Sequence, residues 1–224
     1  MSTINCKLNV DIEHIKFNNS DDIRIRIIAK MYEISFSNHF LGHMGRKFLE
    51  LFISEFVNST GNYGYVAKYM NEPIGLILAT TSDTPFNNFY HKNFLSVVLI
   101  TVSRYFQDPF IRKHISKRLG HIYIALKALF SFSTGNTDNN RQDERVRTLV
   151  PPKLLAIAVD EKFRGLGVAS ELTRQFCTEM KHAGFEKVEL SALPWNQRAI
   201  GFYKKDGWTE EKCSETSICF SRLI

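Results

Sequence analysis

One segment of the chain limits its fold more than any other: an apolar run, then a glycine-rich turn, then an amphipathic pattern. Residues 154–159 are all apolar and predict a buried strand. Gly165 and Gly167 follow this strand, and apolar residues then recur at helical spacing until Gly184. A strand that turns directly into a helix predicts an α/β fold, in which helices pack on the faces of a sheet.

The rest of the chain adds strands and helices in an order that suits a mixed sheet. Isoleucine and arginine alternate over 23–28, which is the period of a half-buried strand. Apolar residues at helical spacing follow, and the turn around Pro73 separates two further apolar segments. In order, the sequence predicts a first strand over 23–28, two helices within 31–57, a hairpin of strands 63–69 and 74–80, a strand over 188–193, a helix over 197–205, and closing strands over 208–213 and 218–223.

The segment between residues 84 and 150 departs from this pattern. Residues 94–106 are apolar on nearly every face and predict a buried helix that ends at Pro109. Residues 111–130 predict an amphipathic helix, and the polar stretch over 131–142 predicts a surface loop. The net charge of the chain is +6, and this segment carries all of it, with ten Lys and Arg residues against four Asp and Glu.

Composition and spacing exclude several classes of protein. With 44% hydrophobic and 23% charged residues, the chain is an ordinary globular sequence. No apolar run reaches the roughly 18 residues that a membrane-spanning helix needs. Polar residues near the amino terminus interrupt the continuous apolar stretch that a signal peptide needs, so we expect a cytoplasmic protein. The four cysteines lack the spacing of zinc or redox sites, so no metal is expected.

Two motifs in the carboxy-terminal third point to a known family. The first is LAIAVDEKFRGLGVA at 155–169, and the second, about thirty residues later, is NQRAIGFYKKDGW at 196–208. Both resemble signatures of the GCN5-related N-acetyltransferase (GNAT) superfamily, in the family's order and spacing. The chain departs from the family pattern at Glu161, where proline is usual, and in the long segment between the third and fourth strands.

The resemblance implies the fold and the co-substrate. It implies a mixed α/β acyl-CoA N-acyltransferase fold, with residues 1–224 as a single domain. The segment at about 84–150, where the family has only a short turn, is expected to be a helical hairpin inserted between the third and fourth strands. Acetyl-CoA would be the acetyl donor and would bind where the fourth and fifth strands splay apart. The residues expected to bind it are Ile157, Ala158, Val159, Arg164, Gly165, Leu166, Gly167, Val168, Ala169, Ser170, Asn196, Ala199 and Tyr203.

Acetyl transfer to an amine needs a polarised thioester carbonyl, an acid for the leaving sulfur and a base for the ammonium. The resemblance places a backbone N–H near Val159 at the carbonyl and Tyr203 near the sulfur. His39, His43 and Glu189 are candidates for the base or for contacts with the acceptor, and a chain of waters without a single base is the alternative.

Three functions remain open on the sequence alone. The first is a small-molecule N-acetyltransferase, whose acceptor we expect to be an amino sugar or another anionic metabolite because the 84–150 segment is basic. The second keeps the chemistry but acetylates a protein amino terminus or a lysine. The third is a non-catalytic module that binds coenzyme A or a membrane surface. We expect no nucleic-acid partner and no stable membrane insertion, and a homodimer is left open.

Overall fold

The computed structural model describes residues 10–14, 22–37, 39–116, 150–214 and 216–224. Seven strands and seven α-helices occur in these ranges. They are β1 (Asp11–His14), α1 (Asp22–Ser35), α2 (Phe40–His43), α3 (Arg46–Asn58), β2 (Asn62–Tyr69), β3 (Glu72–Thr80), α4 (Asn87–Gln107), α5 (described over 109–116), β4 (Lys153–Val159), α6 (Val168–His182), β5 (Lys187–Ala192), α7 (Gln197–Lys205), β6 (Thr209–Ser214) and β7 (Ser217–Leu223).

The seven strands form one mixed sheet in the order β1-β2-β3-β4-β5-β7-β6. Every neighbouring pair is antiparallel except β4 and β5, which run parallel. The sequence did not predict β1, which pairs with β2 at the edge of the sheet. The predicted α/β class is confirmed, because helices and strands alternate along the chain and pack together.

The predicted first strand over 23–28 is wrong, because these residues belong to helix α1. The alternation of isoleucine and arginine there is short. Ile25, Ile28, Ala29 and Tyr32 recur three and four residues apart, and the last three of them are buried. This helical spacing places the buried side chains on one face of a helix, whereas a strand would put Ile28 and Ala29 on opposite sides.

The predicted hairpin is confirmed as β2 and β3, joined at Met70 and Asn71. Both turn residues have a positive φ, 49° and 65°. Two successive residues in this conformation form the tight turn that matches the twist of paired strands. Asn71 suits this position, since asparagine tolerates the left-handed region better than most residues do.

Helices cover both faces of the sheet. On one face, α1 and α3 form a core in which Phe48 and Phe52 are buried with residues of β2, β3 and β4. On the other face, Leu172 and Phe176 of α6 pack against the sheet, and the Phe176 ring lies 6.4 Å from the ring of Tyr65. β4 therefore lies inside the sheet, between two apolar layers.

Helices α4 and α5 occupy the chain between β3 and β4. Within the described residues, the prediction that the apolar stretch over 94–106 is buried is confirmed for one face of α4. Phe89 packs in the core against Phe48, with Val97 and Ile100 along the same side. The opposite face is open among the described residues, with exposed fractions between 40% and 75% at Phe94, Leu95, Val98, Leu99, Val102 and Phe106. The rest of the predicted helix over 111–130 and the loop over 131–142 lie outside the described residues.

Within the described ranges, no helix is both long enough and apolar enough to cross a membrane. In the same ranges, no cluster of three or more His, Cys, Asp or Glu side chains is arranged to hold a metal ion.

Candidate active site

A cavity opens where β4 and β5 separate. The two parallel strands pair at only two positions, Lys153 with Glu189 and Leu154 with Leu190. Beyond these pairs, β4 continues along β3 while β5 continues along β7. The cavity has a volume of about 730 Å³, and its walls come from α1, α2, β4, β5, the turn before α6, and α7.

β4 contains a bulge just before it reaches the cavity. Its pairing with β3 matches Leu78 to Ala156 but Ala79 to Leu154, so Leu155 is an extra residue. An extra residue reverses the direction in which the following backbone groups point, and bulges are often found next to active sites for this reason.

Hydrogen bonds on each side of the bulge establish the reversal. Before it, the carbonyl oxygen of Pro152 accepts a bond of 2.8 Å from β5. After it, the N–H of Asp160 donates to the carbonyl oxygen of Ile74 on β3, also at 2.8 Å. Alternate residues of a strand face alternate sides, so the backbone groups of Ile157 and Val159 point away from β3 and into the gap. The N–H groups of both residues and the carbonyl oxygen of Ile157 are therefore placed to pair with an extended ligand.

The turn between β4 and α6 exposes backbone N–H groups at the cavity. Gly165 and Gly167 have φ values of 79° and 84°, a conformation that favours glycine. A Cβ added at either position would meet nothing within 4 Å. α6 begins at Val168, and Gly167 supplies no side-chain cap. The free N–H groups and the positive end of the helix dipole together suit a phosphate or diphosphate.

Arg164 supports this turn from its first residue. Its Nε donates to the carbonyl oxygen of Val159 at 3.2 Å, and its guanidinium lies 3.5 Å from Glu161. Both Arg164 and Val159 line the cavity. The end of β4 and the start of the glycine turn are therefore fixed to each other.

Tyr203 lies in the wall contributed by α7 and is only 5% exposed. Its ring packs against Trp208 and Phe220, with centroids 5.9 and 5.5 Å away. Burial raises the pKa of its phenol well above the ordinary value, and the charge of Asp206 raises it further. The phenol is therefore protonated at neutral pH and can donate a hydrogen bond to a group in the cavity.

Asn196 has two roles at the start of α7. Its Oδ1 accepts a hydrogen bond of 3.2 Å from the N–H of Ala199, as an N-cap does. Both residues also line the cavity. The cap fixes the side-chain oxygen and leaves the amide nitrogen as a donor.

The structure brings together nearly all the residues that the sequence assigned to the co-substrate. All of them except Leu166 line the cavity. Leu166 is 43% exposed and lies in the middle of the turn. Its side chain is not part of the wall.

The three acceptor-side candidates are placed differently. His39 lines the cavity, and burial lowers its pKa below the ordinary value of 6.5. His43 and Glu189 are not among the residues of the wall. The Nδ1 of His43 lies 2.7 Å from a carboxyl oxygen of Asp108, and Glu189 forms an ion pair with Lys187 at 3.2 Å.

Sequence reasoning missed one wall of the cavity, formed by the end of α1 and by α2. Tyr32, Phe36, Phe40 and Leu41 line it. The helical spacing of Ile25, Ile28, Tyr32 and Phe36 would have indicated α1, and the wrong strand prediction hid this signal. Arg198 and Lys205 of α7 were also missed, and both line the cavity.

Comparisons with known proteins agree with this geometry. Residues 143–208 match the model of the acetyltransferase (GNAT) family. No curated protein sequence matches this chain. An acetyltransferase from Thermus thermophilus superposes with a TM-score of 0.55 at 10% identity, covering 97% of this chain and 99% of its own.

Two further solved structures are similar over nearly the whole chain. The PaiA N-acetyltransferase from Thermoplasma acidophilum, in complex with coenzyme A, has a TM-score of 0.54 and 10% identity, with 96% of this chain and 99% of its own covered. An aminoglycoside acetyltransferase from an uncultured soil metagenomic sample has a TM-score of 0.52 and 14% identity, with 92% and 91% covered.

At such low identity, the structural neighbours establish a shared fold and nothing finer. The family match adds sequence evidence, and it falls on the part of the chain that builds the cavity: β4, the glycine turn, α6, β5 and α7. Signature, fold and cavity therefore coincide. Residues 143–208 therefore carry the sequence signature of the acetyltransferase (GNAT) family, within a fold that solved acetyltransferases share over nearly the whole chain.

Proposed function

We propose that this chain transfers the acetyl group of acetyl-CoA to a primary amine of a small molecule, by direct attack within a ternary complex. One observation carries the proposal. The gap between β4 and β5 opens beside the uncapped start of α6, so one cavity offers strand backbone for an extended chain and helix N–H groups for a diphosphate. Acetyl-CoA contains both groups.

In this proposal the diphosphate rests on the N–H groups of residues 165–170. The pantetheine arm lies along β4 and pairs with the backbone of Ile157 and Val159. Asn196 donates to the arm from the other wall. The positive charges of Arg164, Arg198 and Lys205 support this placement, because all three line the cavity and would attract phosphate.

The reaction forms one C–N bond and breaks one C–S bond. The amine nitrogen, once deprotonated, attacks the thioester carbonyl, and the resulting oxyanion accepts a hydrogen bond from a backbone N–H near Val159. The electron pair of the C–S bond then leaves on sulfur, which takes a proton from the phenol of Tyr203. The proton that the attacking nitrogen loses as it becomes an amide passes to solvent, from which Tyr203 is protonated again. Coenzyme A is released as the thiol.

His39 is our candidate for the base that takes the proton from the ammonium. It lines the cavity at the α1–α2 wall, and its lowered pKa keeps the imidazole neutral at physiological pH. A neutral imidazole can accept a proton, whereas the protonated form cannot.

We therefore expect the rate at saturating substrates to fall as the pH drops through a midpoint below 6.5, because His39 becomes protonated there. His39→Asn should lower kcat at neutral pH by at least about 10-fold and remove this acid limb. His182→Asn is the matched control, since His182 is exposed at the end of α6. An acid limb that persists in His39→Asn would show that a group other than His39 titrates there, and His39 would no longer be the candidate base.

Release of free thiol from acetyl-CoA, followed with a panel of amines, tests the proposed function. Amine-dependent release with intersecting initial-velocity lines supports direct attack in a ternary complex, whereas parallel lines indicate an acetyl-enzyme intermediate. If peptides are acetylated with a higher kcat/KM than any small amine, the protein acetyltransferase alternative is favoured. Coenzyme A binding without turnover of any amine or peptide would indicate the non-catalytic alternative.

We propose that residues 1–224 form a single domain, with the segment at about 84–150 as a helical insertion between β3 and β4. The contacts of α4 and α5 with the α2 region support this arrangement. Arg104 donates from its Nε to the carbonyl oxygen of Met44 at 3.1 Å, and the His43 ring stacks on Phe110 at 3.9 Å. The homodimer stays a prediction, to be measured by sedimentation.

The contact between Asp108 and His43 gives a test of this arrangement. The Asp108 carboxyl holds the His43 ring and caps the start of α5 through the N–H of Phe110 at 2.8 Å. We expect Asp108→Ala to loosen α2 and raise the acceptor KM several-fold, while the acetyl-CoA KM changes little. Asp108→Asn can still accept from the N–H of Phe110 through its Oδ1, and its Nδ2 can donate to the Nδ1 of a neutral His43, so this variant should largely restore the acceptor KM. Equal changes in both KM values would show general loss of structure instead.

A further inference from the structure

We infer that the acceptor amine carries an aromatic or other apolar body and binds against the wall formed by α1 and α2. This inference rests on the proposed function, since it names the class of amine that the same cavity accepts. It departs from the anionic acceptor that the basic 84–150 segment led us to expect.

The wall is built from packed rings. Tyr32 is 6% exposed, and its ring lies 4.4 Å from that of Phe36. Phe36 in turn meets the ring of His39 edge to face, with centroids 5.4 Å apart. Phe40 and Leu41 continue the wall from α2, and Phe40 is 36% exposed. A ring entering here gains apolar contact and edge-to-face partners.

Charge divides the cavity into two ends. Every Lys, Arg, Asp or Glu residue of its described lining comes from the turn before α6, from α7 or from the residue that follows α7: Arg164, Arg198, Lys205 and Asp206. The described lining residues of α1 and α2 include none of these types. An anionic acceptor would lose hydration at this wall without gaining a cation in exchange, which is unfavourable.

The basic residues of α4 and α5 do not restore that cation among the described residues. Arg112 donates to the carbonyl oxygens of Tyr105 and Phe106, at 3.2 and 3.0 Å, and so caps the end of α4. Lys113 is exposed on α5 and is not part of the cavity lining. Among the described residues, the polar side chains of the wall are Ser35, His39 and Tyr32, which can hydrogen-bond an amine but supply no Lys or Arg for a phosphate.

The test compares three acceptors of different chemistry on the full chain: 2-phenylethylamine, ethanolamine and glucosamine 6-phosphate. We expect kcat/KM for 2-phenylethylamine to exceed each of the other two by at least about 10-fold, because only its ring contacts the aromatic wall. Phe40→Ala should reduce that preference by about 10-fold through the phenylethylamine KM, with the acetyl-CoA KM unchanged. Phe94→Ala is the matched control, because Phe94 is also an exposed phenylalanine but lies on α4, outside the cavity.

The outcomes separate this inference from the function on which it rests. Preference for glucosamine 6-phosphate or ethanolamine, or a Phe40→Ala variant that keeps the wild-type preference, overturns the aromatic acceptor while leaving acetyl transfer intact. If neither these three amines nor any other amine in the panel is acetylated, the proposed function is overturned, and this inference with it.

Discussion

Gly167→Glu should abolish coenzyme A binding while the protein remains folded. At this position a Cβ meets no protein atom within 4 Å, so the new side chain fits the fold but projects into the space beside the start of α6. Its carboxylate would then repel the diphosphate and cover the N–H groups that should bind it. We expect calorimetry to record a loss of affinity on the order of 100-fold or more, since like charges in contact are strongly unfavourable.

Gly184→Glu is the matched control for that substitution. Gly184 follows α6 at its other end, has a φ of 88° and also has no atom within 4 Å of an added Cβ. Both variants therefore carry the same backbone strain, about 1 kcal/mol, and the same added charge. Gly184→Glu should bind coenzyme A like the wild type. Unchanged affinity in Gly167→Glu would remove the proposed site from this turn.

Tyr203→Phe should lower turnover by roughly 100-fold, the usual contribution of one positioned acid, while coenzyme A affinity changes only a few-fold. The substitution removes one oxygen atom and keeps the ring that packs against Trp208 and Phe220. Burial raises the pKa of this phenol, so its loss should matter across the neutral range, where it is protonated. Single-turnover kinetics would measure the chemical step directly.

Tyr65→Phe separates catalysis from the general cost of removing a buried phenol. The Tyr65 phenol is fully buried and donates to Glu179 at 2.8 Å, but Tyr65 is not part of the cavity wall. Its removal should lower stability and leave turnover at saturating substrates near the wild-type level. If Tyr203→Phe also turns over at the wild-type rate, Tyr203 only packs, and another group protonates the sulfur.

The sequence predicts the carboxy-terminal third well because several local signals agree there. Apolar runs, the glycines before α6 and the N-cap at Asn196 all mark the same boundaries, and the structure confirms them within one residue or two. Agreement between local preference and tertiary packing is what makes such a segment predictable. The residues assigned to the co-substrate lie in this well-predicted part of the chain, and nearly all of them line one cavity.

The features that the sequence did not predict depend on tertiary packing. The Ile/Arg alternation over 23–28 suits a strand locally, but burial of Ile28, Ala29 and Tyr32 on one face favours the helix. The bulge at Leu155 carries no turn residue or glycine to mark it, because it arises from the pairing of β4 with β3. A segment that is apolar on nearly every side also does not show which face of α4 packs in the core, and among the described residues only one face does.

Amide hydrogen exchange with and without coenzyme A tests the central claim most directly, because it reports on the backbone groups that should bind the ligand. We expect binding to slow hydrogen exchange at Ile157, Val159 and residues 165–170, because these N–H groups would then bond to ligand oxygens in place of water. Amides of β1 and of the β2–β3 turn should keep their rates. Coenzyme A binding that leaves exchange over 157–170 unchanged would contradict the account.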